Sequence, residues 1–258
     1  MGKLKKTLFL TGGTGSLGYE LVKDLSVAGF NLYFSSRNQD KITQMEREFS
    51  RSSSVGGFVK GVLLDFSNPE YIIELKSYFE SQLNKPEILI NNVRNLDNLK
   101  VGVDGVTDRR VFLDELELGI FIPYQLAVFF AASGLFKLEN IINISSMYGI
   151  VPPNAILYNN SYATSPIQYG VAKAGLIHLT KELAVRFADN GIRVNCISYG
   201  GVGGRANDEF REKYAALTPM KRMIDKSEVS GPVKFLISEN SSGMTGQNII
   251  FDGGYTVW

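Results

Sequence analysis

The chain has 258 residues, 44% of them hydrophobic and 21% charged, a composition that excludes a disordered or fibrous protein and supports one large packed core. Lys and Arg total 27 against 26 Asp and Glu, a formal charge of +1. There is thus no broad basic field to collect nucleic acid or an anionic membrane, and an anionic ligand must meet local groups. One cysteine, Cys196, and one histidine, His178, exclude an internal disulfide framework and argue against a metal site.

In chain order, short β-rich runs alternate with longer helical patterns. A strand over residues 7–11 precedes a helix over 17–28, a strand over 31–35 a helix over 39–49, and a strand over 58–64 a helix over 69–83. The pattern continues with a strand over 88–91, a helix over 110–132, a strand over 141–145, a helix over 169–188, and strands over 193–197 and 248–251. Such alternation predicts successive βαβ units and a parallel sheet covered by helices on both faces. The Ser/Gly patch 51–57 reads as a surface connection, and no linker divides the chain. Two long connections, 92–107 and 149–168, follow strands and so fall at the carboxyl edge of the sheet, where open α/β folds bind ligands. No run of about 18 apolar residues and no leader-like start is found, so a cytoplasmic protein without a membrane or nucleic-acid partner is expected.

The first strand ends in Thr11-Gly12-Gly13-Thr14-Gly15-Ser16-Leu17-Gly18 and a helix follows at once. Glycines at 12, 15 and 18 suit a tight turn, a close backbone approach to pyrophosphate and close packing of helix on strand, with the helix N-terminus offering N–H groups to phosphate. The second strand ends in Ser35-Ser36-Arg37-Asn38. No carboxylate is present there to bind ribose hydroxyls, whereas Arg37 suits a 2′-phosphate, so NADP(H) is expected in preference to NAD(H).

Tyr169 and Lys173 stand four apart at the start of a helical pattern, on one face and one turn apart. A phenol is a poor acid catalyst at its ordinary pKa of about 10, and a neighbouring ammonium favours its ionised form. Ser146 ends the strand that would run beside them and can bond a substrate oxygen. These motifs, with Asn91-Asn92, Arg193-Val194-Asn195, Thr245-Gly246 and Asp252-Gly253-Gly254, resemble the short-chain dehydrogenase/reductase superfamily over the whole chain.

The resemblance implies a three-layer doubly wound Rossmann fold with strand order 3-2-1-4-5-6-7, one dinucleotide-binding domain over 1–258, and a homodimer or homotetramer, for which the apolar run 121–135 offers a surface. Tyr169 would be general acid or base, Lys173 would hold the nicotinamide ribose, and Ser146 would orient the substrate oxygen. The cofactor would be held by Gly12, Thr14, Gly15, Ser16, Leu17, Gly18, Ser36, Arg37, Asp65, Phe66, Asn91, Val93, Gly200 and Val202, together with Tyr169 and Lys173. No metal is implied.

Several positions depart from the family pattern. The glycine spacing is that of the larger sugar-nucleotide branch. Arg94 stands where a glycine is usual, and Leu116 occupies the place of a helix asparagine. Four glycines at 200, 201, 203 and 204 suit either a mobile lid or a close backbone approach to the cofactor. The 23-residue step from Ser146 to Tyr169 inserts a segment, about 147–168, rich in tyrosine and asparagine. Aromatic faces and amides suit a polyhydroxylated ligand, and Arg94, Tyr148, Tyr158, Asn159 and Tyr162 are the candidate substrate contacts. This segment resembles short-chain dehydrogenases of flagellin-glycosylation and nonulosonic (legionaminic-type) sugar pathways. His178 reads as a packed or partly exposed side chain and Cys196 as a small buried hydrophobe, both outside the chemistry.

The expected function is an NADP(H)-dependent oxidoreductase acting on a carbonyl or secondary alcohol, a sugar or sugar phosphate being the candidate substrate. A catalytically silent dinucleotide-binding protein and an epimerase that recycles its cofactor are the alternatives.

Overall fold

Successive residues of a strand point to opposite faces of its sheet, and the first strand, β1 (Thr7–Leu10), is apolar and buried at three of its four steps. It therefore needs cover on both sides. Leu8 and Leu10 join one core while Phe9 joins the other. The computed structural model describes residues 5–50, 57–158, 164–204 and 206–257. Within them β1 is followed by β2 (Asn31–Ser36), β3 (Val59–Leu63), β4 (Ile88–Asn91), β5 (Asn140–Ser146), β6 (Arg193–Tyr199) and β7 (Asn248–Phe251). All pairs are parallel, in the order β3-β2-β1-β4-β5-β6-β7, the topology expected from the sequence.

The helices are α1 (Ser16–Val27), α2 (Gln39–Ser50), α3 (Tyr71–Glu80), α4 (Arg109–Leu116), α5 (Ile122–Ala132), α6 (Ile167–Arg186), α7 (Asp208–Ala216) and α8 (Ser230–Ile237). Helices α1, α2 and α8 cover the face of Leu8, Leu10, Leu32 and Phe34. Helices α3, α5 and α6 cover the face of Phe9, Tyr33, Leu89 and Val194. The second face is built on aromatic rings: Phe79 meets Phe9, Tyr33, Tyr78, Phe130 and Phe136 at centroid distances of 5.2–5.9 Å.

The helix expected over 110–132 is interrupted. A π turn, Glu117–Phe121, separates α4 from α5; such turns absorb an extra residue and re-aim what precedes them. Here the re-aiming brings the helix against α6, where a Cβ on Gly119 would lie 3.0 Å from Ala172 Cβ. The stretch Arg109–Ala132 is long and apolar enough to cross a membrane by length and composition. Its apolar residues have another use, since Ile122, Leu126, Ala127 and Phe130 are core residues.

Below the sheet edge, a buried polar chain ties the two central strands to α6. Asn91 donates to Asn143 (2.8 Å) and Asn143 to Thr180 (2.9 Å). Fully burying a large apolar side chain contributes about 1.5–3 kcal/mol before cavity effects. Phe79→Ala should therefore cost about 3–5 kcal/mol, read from denaturant unfolding. A loss under about 1 kcal/mol would show that the aromatic cluster does not hold the second layer.

Candidate active site

A cavity of about 780 Å³ runs along the carboxyl edge of the sheet, from Arg37 and Asp65 at one end to Ser146, Tyr169 and Lys173 at the other. Its floor is the glycine turn between β1 and α1. Gly12 takes φ +69°, a conformation that favours glycine. A Cβ on Gly18 would stand 2.2 Å from the Gly12 carbonyl oxygen, so only glycine lets α1 seat there. Helix α1 begins at Ser16 with no side-chain cap and no acidic residue in its first turn, leaving its N–H groups and positive dipole end facing the cavity through Gly15, Ser16, Leu17 and Gly18.

The turn is pinned by β2 and β4. Ser35 Oγ accepts from Gly12 N (3.1 Å), Thr14 and Ser36 hydroxyls meet at 2.8 Å, and Asn92 Nδ2 donates to the Thr11 carbonyl (3.1 Å). Thr11 Oγ1 also accepts from the backbone of Asn92 and Val93. Thr11, Ser35 and Asn92 stand within the quoted motifs but carry no role assigned from the sequence; their place at strand ends was the available signal. Asn91, expected beside the cofactor, is buried in the Asn143 chain and lies outside the cavity lining.

At the other end, α6 lies across β5. Lys173 is buried and its Nζ donates to the Ile144 carbonyl (2.9 Å), while Ser145 Oγ donates to the Lys173 carbonyl (3.0 Å). Gly149 allows this approach, because a Cβ there would sit 2.7 Å from the Lys173 carbonyl carbon. Lys173 Nζ is 5.7 Å from the Tyr169 ring centroid. Tyr169 lines the cavity with its hydroxyl free of hydrogen bonds among the described residues. Ser146 faces the same space, its Oγ accepting from Tyr148 N (3.2 Å). The structure thus brings a serine hydroxyl, a phenol and an ammonium together in the cavity that begins at the glycine turn.

Comparison with known proteins shows the family to which this fold belongs. The enoyl-(acyl carrier protein) reductase family model matches residues 12–256. A tropinone reductase homologue of Arabidopsis thaliana is 31% identical across 98% of this chain and 92% of its own length. The chain belongs to the short-chain dehydrogenase/reductase superfamily. A short-chain dehydrogenase of Leptospira borgpetersenii, solved with bound NAD+, superimposes with a TM-score of 0.82 at 30% identity, over 98% of this chain and 93% of that one. The post-translational flagellin modification protein A of Campylobacter coli is 37% identical over 45% of each chain.

Further contacts shape the wall of the cavity in this short-chain dehydrogenase/reductase. The Arg94 guanidinium lies over the Tyr169 ring, 4.7 Å from its centroid, and makes no ion pair among the described residues. Tyr158 donates its hydroxyl proton to Tyr148 (3.1 Å) at the same wall, and burial pushes both phenols up. Asn159 and Tyr162 lie outside the described residues. The 147–158 segment packs with Tyr214 of α7 and Tyr255 into a small apolar cluster. Tyr214 stacks on Tyr255 at 5.2 Å and accepts from Gly201 N (2.7 Å).

That cluster accounts for two of the four clustered glycines. A Cβ on Gly200 would meet Asp252 Cα and the Tyr214 hydroxyl at 2.7 Å, and one on Gly201 would meet Tyr214 and Met223 at 2.8 Å. Close packing on α7 and the chain end, rather than only a lid or an approach to the cofactor, requires glycine here. Gly200 and Val202 still line the cavity. At the far end, Asp65 accepts from Ser67 N and Oγ (3.0 and 2.9 Å), which holds its carboxyl below the usual range, with Arg37 adding to the effect. Phe66 is buried against Tyr71. His178 is exposed beside Glu182, and Cys196 is a buried free thiol pushed up to about 12. Gly200→Ala is expected to cost about 1–3 kcal/mol by overpacking, measured as a lowered denaturant midpoint. An unchanged midpoint would return the glycines to a role in ligand approach.

Proposed function

We propose that this short-chain dehydrogenase/reductase is an NADP(H)-dependent oxidoreductase acting on a carbonyl or secondary alcohol of a polar substrate such as a sugar or sugar phosphate. Its activity is that of the superfamily's alcohol dehydrogenases and reductases, which work with a nicotinamide dinucleotide. The single observation that carries the reading is the free Tyr169 hydroxyl beside buried Lys173 at the end of the cavity that starts on the glycine turn.

The residues fit a dinucleotide. The uncapped N-terminus of α1 with Gly12, Thr14, Gly15, Ser16, Leu17 and Gly18 suits pyrophosphate. Ser36, Arg37, Asp65 and Phe66 surround the adenosine end, and Val93, Tyr169, Lys173, Gly200 and Val202 the nicotinamide end. Exposed Arg37, with no carboxylate at the end of β2, favours a 2′-phosphate. NAD(H) is the second reading, favoured by the NAD+ of the Leptospira relative.

When bound, the nicotinamide gives or takes hydride at the substrate carbon. Tyr169 supplies the proton to a carbonyl oxygen, or removes it from a hydroxyl. Lys173 favours the negative charge that then develops on the phenol, and Ser146 donates to the same substrate oxygen. Arg94, Tyr148 and Tyr158 line the substrate side, where an unpaired guanidinium suits a carboxylate or phosphate. Asn159 and Tyr162 are proposed for the same wall from the sequence.

We further take residues 1–258 as one dinucleotide-binding unit, a cytoplasmic homo-oligomer. Exposed Leu113 and Phe121 on the α4–α5 stretch and Ile167 and Val171 on α6 support self-association.

Tyr169→Phe should lower NADPH-dependent reduction of a panel of ketoses, cyclic ketones and 3-oxoacyl thioesters by about 10²–10⁴-fold, with the NADPH Kd nearly unchanged. A wild-type rate in that variant contradicts the assignment. Arg37→Ala should weaken NADPH about tenfold or more while leaving NADH within about threefold, the loss of one charge-assisted contact; equal losses for both would favour NAD(H).

A further inference from the structure

The segment after β4 holds a guanidinium at a fixed place over Tyr169. Arg94 follows Asn92 and Val93, whose backbone N–H groups both donate to Thr11 Oγ1 (2.8 and 3.0 Å). Beyond it, Asp97 N donates to Asn95 Oδ1 (3.2 Å), and the Asn98 carbonyl accepts from the Gln168 side chain (2.8 Å). Gln168 is fully buried, accepts from Thr107 (2.9 Å) and immediately precedes Tyr169. The backbones that carry Arg94 and Tyr169 are therefore anchored to one another on both sides. Between them the Arg94 guanidinium carbon lies 4.7 Å from the Tyr169 ring centroid, with both residues lining the cavity.

A cation over a ring uses the face of the guanidinium and none of its N–H donors, which lie in its plane. Among the described residues those donors make no hydrogen bond and no ion pair. The acids of the region are engaged elsewhere or unpaired with it: Asp114 holds Arg110 (2.7 Å), Asp65 accepts from Ser67 at the Arg37 end of the cavity, and Glu117 and buried Glu115 form no ion pair among the described residues. The facing wall cannot neutralise the charge either. It carries Tyr148 and Tyr158, joined at 3.1 Å, and the whole stretch 141–172 to which they belong has no charged residue. Lys173 adds a second positive charge 5.7 Å from the same ring. The groups suited to cofactor phosphates, the α1 N-terminus and Arg37, stand elsewhere along the cavity. What this corner lacks is an anion, and the space in front of it is where the substrate goes.

We infer that Arg94 selects an anionic substrate, a ketone or alcohol with a carboxylate or phosphate within a few bonds of the reacting carbon, as in a 3-oxo acid or an α-phosphoryloxy ketone. The N–H edge of the guanidinium forms the charge-assisted contact to the anion while Tyr169 serves the carbonyl oxygen. The closeness of the two ligand groups follows from the stack, because the guanidinium and the hydroxyl that bind them belong to one ring contact. This deepens the oxidoreductase reading and rests on it for the position of the reacting carbon.

The test has a kinetic arm and a binding arm, both on the full chain. With NADPH, kcat/KM should be about tenfold or more higher for acetoacetate than for acetoacetamide, or for dihydroxyacetone phosphate than for dihydroxyacetone, and the pair that responds tells carboxylate from phosphate. Arg94→Gln should lower that ratio about tenfold, and Arg94→Lys should restore part of it. A ratio within one protein is not moved by a displaced Tyr169 or a partly folded sample, which scale both substrates together. For binding, the ligand-free protein is labelled with 15N-arginine and the Arg94 Nε–H signal is assigned by its loss in Arg94→Lys. That signal should shift saturably with millimolar malonate or inorganic phosphate and not with sodium chloride at matched ionic strength. The inference is overturned by neutral substrates reduced as well as their anionic partners, by an unmoved ratio in Arg94→Gln, or by an Arg94 signal that does not respond to either anion; where neither pair is reduced, the titration alone decides it. Because the titration needs neither cofactor nor turnover, a wild-type rate in Tyr169→Phe would end the oxidoreductase reading without touching it, and a silent Arg94 signal beside an inactive Tyr169→Phe would end this inference alone.

Discussion

The hydrogen bond from Lys173 Nζ to the Ile144 carbonyl is the contact on which the site depends. It lays the first turns of α6 across the end of β5, and Tyr169, one turn earlier, is carried over the cavity as a result. Ser145 reinforces the crossing by donating to the Lys173 carbonyl, and Gly149 permits it by having no Cβ. Chemistry at a sheet edge requires side chains held within hydrogen-bond reach of one another. Here that precision comes from strand carbonyls and a glycine, which have no rotamers to lose.

A second constraint comes from the opposite end of the same edge. Gly12 and Gly18 meet so closely that α1 can start only there, with its N–H groups directed into the cavity. The uncapped N-terminus of α1 and the Tyr169 hydroxyl of α6 are thus fixed by two separate strand ends, β1 and β5. The parallel sheet sets the distance between them through the β1–β4–β5 pairing. Function is consequently tied to core packing, since the aromatic layer under α3 and α5 supports those strands from below.

Much of this was legible in the residues. Strand and helix order followed from alternation, because a parallel sheet buried on both faces reads as short apolar runs between amphipathic stretches. The glycine turn, Ser146 and the Tyr169–Lys173 pair were legible because each carries a fixed spacing. The inward turn of Glu115 was not. A π turn shifts helical phase by about one residue, which no period of 3.6 anticipates, so the burial of Glu115 leaves no signal in the sequence. The glycines at 200 and 201 were legible as unusual but not as packing residues, since their neighbours Tyr214 and Asp252 lie 13 or more positions away in the chain. Asn91 marked the right strand end, but its side chain serves the Asn143 chain rather than the cavity.

The central claim, that Tyr169 and Lys173 meet a dinucleotide laid along this edge, is tested most directly by a crystal structure of the protein grown with NADPH. The account predicts the pyrophosphate on the N-terminus of α1, the 2′-phosphate at Arg37, and the Tyr169 hydroxyl beside the nicotinamide with Lys173 on its ribose. A nucleotide bound elsewhere, or a Tyr169 hydroxyl turned away from the nicotinamide by the Arg94 stack, would contradict it.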